Sequence, residues 1–125
     1  MPSGFSTRQD VAEVRGIGDI DSAVVVQTIA INQVGAGNPT LYTPPVNKVF
    51  LVFLAIVQNT GVGANTIKFQ SGATDIARFA PVAGIGIELN CGGLPVLVGR
   101  AAGEALKLDV TADAVGYVAV GYRDA

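Results

Sequence analysis

From Ala23 to the C-terminus the sequence falls into short runs rich in β-branched and aromatic residues, cut by clusters of Gly, Pro, Asn and Asp at intervals of about ten residues. Val24, Val25 and Val26 with Thr28, Ile29 and Ile31 make the first run, which Gly35-Ala36-Gly37-Asn38-Pro39 ends. Leu41-Tyr42-Thr43 follows, stopped by Pro44-Pro45, and then comes the strongest run, Lys48 to Asn59. Thr66 to Gln70 alternates cleanly, Thr74 to Phe79 is a short strand, and Ile85, Ile87 and Leu89 alternate with Gly86, Glu88 and Asn90. Leu94 to Val98 carries Pro95 near its start, which assigns it to an edge or a bulge. Leu106 to Thr111 alternates again, and Val115 to Tyr122 closes the chain. No helical run of comparable quality interrupts these eight or nine strands, which argues against a βαβ architecture. The pattern predicts an all-β chain: an antiparallel β-sandwich or jelly roll of about eight strands over residues 23–125, preceded by an extended N-terminal arm over residues 1–22. No internal repeat is visible.

The arm differs in texture. It holds Arg8, Asp10, Glu13, Arg15, Asp19 and Asp21, a third of the charged residues in under a fifth of the chain. Thr7 could cap a helix ending at Gly16, but two turns are marginal in water without a docking surface. An arm that orders against a neighbour is the favoured reading.

One strand breaks the half-buried pattern expected of a sandwich. Between Lys48 and Val57, Phe50, Val52, Leu54 and Ile56 share one face, while Val49, Leu51, Phe53, Ala55 and Val57 share the other. Both faces are apolar. Val118, Val120 and Tyr122, opposite Tyr117 and Ala119, raise the same question in the last strand. Half of the residues are hydrophobic and only 14% are charged, against about 25% in an ordinary soluble domain. So much apolar sheet with so little charge to solvate it predicts a contact between subunits.

The same composition narrows the chemistry. The chain has no His, so no Ser–His or Cys–His nucleophile and no His metal site can be assembled within it. Cys91 is the only cysteine, and without a nearby base it reads as a small packing residue. The net charge is −2 and the eight Lys and Arg are scattered, so no nucleic-acid partner is expected. The start lacks an apolar core of the kind a secretory signal needs, and the longest apolar run, Val49 to Val57, is too short to cross a membrane, which predicts a soluble, unexported protein without a membrane partner. Asp19-Ile20-Asp21 lacks the further oxygens of a calcium loop. Gly16-Ile17-Gly18, Gly61-Val62-Gly63 and Gly84-Ile85-Gly86 lack the third glycine of a dinucleotide loop and open no helix, so they read as turn or bulge glycines. Asp75, Glu88, Glu104, Asp109 and Asp113 could supply a glycosidase-like pair, but aromatics to hold a sugar are sparse, with no Trp. Tyr42, Tyr117 and Tyr122 read as amphipathic sheet residues. The expectation is a protein that is not an enzyme and needs no cofactor or metal.

Thr66-Ile67-Lys68-Phe69-Gln70-Ser71-Gly72-Ala73-Thr74-Asp75-Ile76 resembles a stretch common in small virion proteins of tailed bacteriophages. So do Ala101 to Val110 and the terminal Val115-Gly116-Tyr117-Val118-Ala119-Val120-Gly121-Tyr122. Over residues 46–123 the chain resembles the capsid decoration, or cement, proteins. The resemblance implies a homotrimer made in the host cytoplasm and seated on the virion surface, where it binds the major capsid protein and stabilises the shell. On that reading Val49, Leu51, Phe53, Val118, Val120 and Tyr122 form the subunit interface, and Phe5, Val11, Val14 and Ile17 of the arm reach the capsid. A trimeric receptor- or glycan-binding module of a phage tail or head fibre would share the architecture, but would be expected to present an aromatic or polar pocket.

Overall fold

The computed structural model describes residues 26–125; the N-terminal arm, with Phe5, Val11, Val14 and Ile17, lies outside the described residues. Those described form nine strands and no helix: β1 (Gln27–Gln33), β2 (Thr40–Tyr42), β3 (Lys48–Asn59), β4 (Ile67–Ser71), β5 (Thr74–Phe79), β6 (Gly86–Asn90), β7 (Leu97–Val98), β8 (Leu106–Val110) and β9 (Ala114–Asp124). They build two antiparallel sheets packed face to face as a β-sandwich. One runs β1-β9-β3-β6, with β7 also on β3, and the other runs β2-β8-β4-β5.

The long β3 is the spine of the first sheet. Along one side it pairs with β9 over its whole length. Along the other it is shared: β6 covers Leu54 to Gln58, and β7 covers Leu51 and Val52. The expected strand Leu94 to Val98 shrinks to Leu97–Val98 on this edge, because Leu94 is instead bridged to Cys91 around a turn whose Gly92 and Gly93 have φ of 65° and 95°. Left-handed backbone there requires glycine.

The core lies between the sheets. Ile31, Phe50, Val52, Ala55, Val57, Ala114, Val118 and Val120 from one sheet meet Ile67, Phe69, Leu106, Leu108 and Val110 from the other. Phe50 and Phe69 are wholly buried, and each such side chain contributes about 1.5–3 kcal/mol relative to an exposed one.

Two buried asparagines fasten the loops at one end of this core. Asn65 Nδ2 donates to the carbonyls of Ala112 and Asp113, while its Oδ1 accepts from Thr111 N, Thr111 Oγ1 and Ala112 N. Asn59 Nδ2 donates to Gly63 O and Pro81 O, and its Oδ1 accepts from Gly61 N. Both amides are thereby satisfied, as buried polar groups must be.

The expected alternation along β3 does not hold. Val120 pairs with Val52 while its neighbour Ala119 pairs with Leu54, so β3 carries a β-bulge at Phe53. The extra residue reverses the phase of everything after it. The inner face is therefore Phe50, Val52, Ala55, Val57 and Asn59, and the outer face collects Phe53, Leu54 and Ile56.

Candidate interaction surface

The outer faces of the two sheets differ in chemistry. On the four-stranded sheet, Lys68 lies beside Asp109 on β8 and Arg78 on β5, and Gln70 beside Lys107 and Asp75. Lys68 Nζ sits 3.6 Å from Asp75 Oδ2 and 3.9 Å from Asp109 Oδ2. Gln70 Nε2 donates to Asp75 Oδ1 at 2.8 Å, and its Oε1 accepts from Asn38 Nδ2. The Gln70 hydrogen bond, followed by the Lys68 charge, holds the Asp75 carboxyl below its usual range. This face is wet.

The five-stranded sheet turns a different face outward. Register fixes it: Tyr117 lies between Ile56 and Ala30, Ala119 between Leu54 and Thr28, and Val115 between Gln58 and Asn32. Glu88 and Asn90 of β6 flank Ile56 and Leu54 on the far side. Phe53, Leu54, Ile56, Val115 and Ala119 are half-buried, and Tyr117 is 38% exposed. An apolar patch at the centre of a sheet, with a polar margin of Thr28, Asn32, Gln58, Glu88 and Asn90, has the composition of a contact surface.

The residues expected at a subunit interface divide. Val118 and Val120 are wholly buried in the sandwich core, so they cannot meet a partner. Arg123 lies on the same face of β9 as Tyr117 and Ala119, and a charge at that phase marks it as outward. That signal was present in the sequence. Val49 and Leu51 precede the bulge on the outward side but are 6% and 2% exposed, which leaves little for a partner to cover. Tyr122 is inward and half-buried, opposite Phe50. Phe53 alone of the six lies on the outward, partly open surface. Leu54 and Ile56 share that surface because the bulge, which has no glycine or proline to announce it, reverses the phase of β3, and Val115 and Tyr117 share it by the β9 phase that Arg123 marks.

Of the five carboxylates that could supply a glycosidase-like pair, four are engaged in hydrogen bonds or ion pairs. Asp75 and Asp109 flank Lys68; Ser71 Oγ donates to Glu104 Oε1 at 2.7 Å, and Gly35 N donates to Asp113 Oδ1 at 2.6 Å. Glu88 stands on the outer side of β6 across from Ile56. Among the described residues no group of three or more His, Cys, Asp or Glu could hold a metal ion, and no helix is long and apolar enough to cross a membrane. Gly61 and Gly63 are tied to Asn59, and Gly84 has φ of 80°, so these are turn glycines. Cys91 is exposed in its turn rather than packed, a correction to the expectation from sequence.

No family model matches this chain, and no curated protein matches it. A search of solved structures finds a likeness of shape to a chain from work reporting that Bacillus endospore appendages form a novel family of disulfide-linked pili. The match has a TM-score of 0.46 and 18% identity, covering 81% of this chain and 87% of the other.

Proposed function

We propose that this protein is a structural component that works by association, assembling with copies of itself through the outward face of its five-stranded sheet. Its setting, on this reading, is the outer surface of a phage capsid, where a trimer bridges neighbouring capsid subunits and stabilises the shell. The observation that carries the proposal is the asymmetry of the two outer faces: charge pairs cover one, and Phe53, Leu54, Ile56 and Tyr117 lie at the surface of the other. A patch of that kind adds contact area when buried, and a ligand that binds only the assembled shell stabilises it by mass action. Repetition around a symmetric oligomer multiplies a modest affinity per subunit.

The test begins with the mass of the protein in solution. The native chain should form trimers through this face, and Ile56→Lys should lose the trimer with its β-sheet circular dichroism intact. The lysine is chosen because Ile56 lies opposite Glu88, where a cation is tolerated. Co-sedimentation with empty phage capsids should then be strong for the native chain and weak for Ile56→Lys. A truncation lacking residues 1–22 should remain folded and trimeric yet bind shells poorly. A native chain that is monomeric at all concentrations overturns the self-association, and one that ignores capsids overturns the setting.

A further inference from the structure

Sheet edges in soluble proteins are guarded by charge, proline, bulges or shortness, because an open ladder invites another strand. Most edges here follow that rule. On β5, Asp75 and Arg78 are exposed and the register against β4 is interrupted; β6 carries Glu88 at its centre. β7 is two residues long, and β2 is three residues long with Pro44 and Pro45 close behind it.

β1 does not follow it. Its seven residues hold no charge and no proline, and they pair with β9 in unbroken register. Among the described residues β9 is its only strand partner. No Lys, Arg, Asp or Glu occurs between Ala23 and Asn47, so the adjoining sequence over that range adds no charge.

The strand also has an internal symmetry. Val26-Gln27-Thr28-Ile29-Ala30-Ile31-Asn32-Gln33-Val34 reads almost the same in both directions about Ala30; only Thr28 and Asn32 exchange. Two copies turned antiparallel about Ala30 would therefore set Gln27 against Gln33, Ile29 against Ile31, and Ala30 against itself. That register also preserves sidedness. Ile29 and Ile31 face the core in each copy, while Thr28, Ala30 and Asn32 face outward. It further sets Val26, 52% exposed, against Val34, 81% exposed. No like charges meet, and every opposed pair matches in polarity.

We propose that β1 is a homotypic pairing edge: a second copy of this chain adds its own β1 antiparallel about Ala30, continuing the five-stranded sheet across a two-fold axis. The pairing uses the edge of the sheet, so it stands or fails separately from association through the outward face.

Disulfide trapping in the full chain tests the register, in a Cys91→Ser background. Directly opposed residues have Cα atoms about 4.5–5.5 Å apart, within disulfide reach. Residues four positions out of register are about 13 Å apart and beyond it. Chains carrying Ala30→Cys should form covalent dimers on oxidation. Chains carrying Thr28→Cys or Asn32→Cys should each crosslink poorly alone but crosslink about ten-fold more when mixed, because only the mixture brings opposed thiols together. All three positions are exposed, so the fold should survive each change. Absence of crosslinking for Ala30→Cys, or equal yields from mixed and unmixed chains, overturns the proposal. Loss of the trimer in Ile56→Lys with crosslinking at Ala30→Cys retained separates the edge from the face.

Discussion

Gly116 shows how tightly β9 and β3 approach. A Cβ built there would run into the carbonyl oxygen of Ile56 and lie 2.8 Å from its carbon and 2.9 Å from Val57 Cα. These are backbone atoms of the central strand, so relief requires the two strands to part. Gly116→Ala should destabilise the protein by about 3 kcal/mol or more, the upper end for overpacking a core, as measured by chemical denaturation. Asn65 makes a different point at the same scale. Nothing around it in sequence announces its role, yet it is 1% exposed and bonds three residues more than forty positions away. The glycine's reason and the asparagine's partners are both long-range, and neither could be read locally.

At the scale of the element, β3 was the strand most legible in the sequence, down to its ends at Lys48 and Asn59. Its faces were not. Strict alternation puts Ala55 and Val57 on the side of Val49, whereas the bulge at Phe53 brings them in line with Phe50 and Val52. Either phase is apolar, so hydropathy could not choose between them; pairing with β9 did. A direct consequence is that Phe53 is the one residue whose removal leaves all later side chains on their present faces. Deleting Phe53 should cost no more than about 2 kcal/mol, within the range of ordinary point changes. Deleting Ile56 should unfold the chain, since Val57 and Asn59 would turn outward. Thermal melts of the two variants followed by circular dichroism check both.

Across the whole molecule, the ion pairs among the described residues join partly or fully exposed side chains. The Asp75 carboxyl, bonded to Gln70 and near Lys68, and the Asp124 carboxyl, paired with Lys48, both lie below their usual range. A depressed carboxyl favours the folded state above its unfolded pKa, about 4, and that contribution is lost as pH falls through the lower folded value. The Lys48 ammonium is raised by Asp124, and the Tyr42 hydroxyl by burial and then by Tyr122. Raised groups contribute fully below their unfolded pKa, about 10, and the contribution is lost as pH climbs through the folded value. Melting temperature should therefore be flat through the neutral range and decline at both extremes. Tyr42→Phe should soften the alkaline decline, and Asp75→Asn the acid one.

What the amino-acid order determined by itself is the architecture of short strands, the positions of most turns, and the surplus of apolar over charged residues. Those are set by nearest neighbours: a two-residue period, β-branched side chains, and glycines and prolines that stop a ladder. Tertiary structure decided which surface carries that surplus. The Phe53 bulge and the β9 register placed Val118 and Val120 inside, left Ile56 and Tyr117 outside, and put an uncharged β1 at an edge. An apolar strand is equally content with either face buried, so only the partner it pairs with breaks the tie.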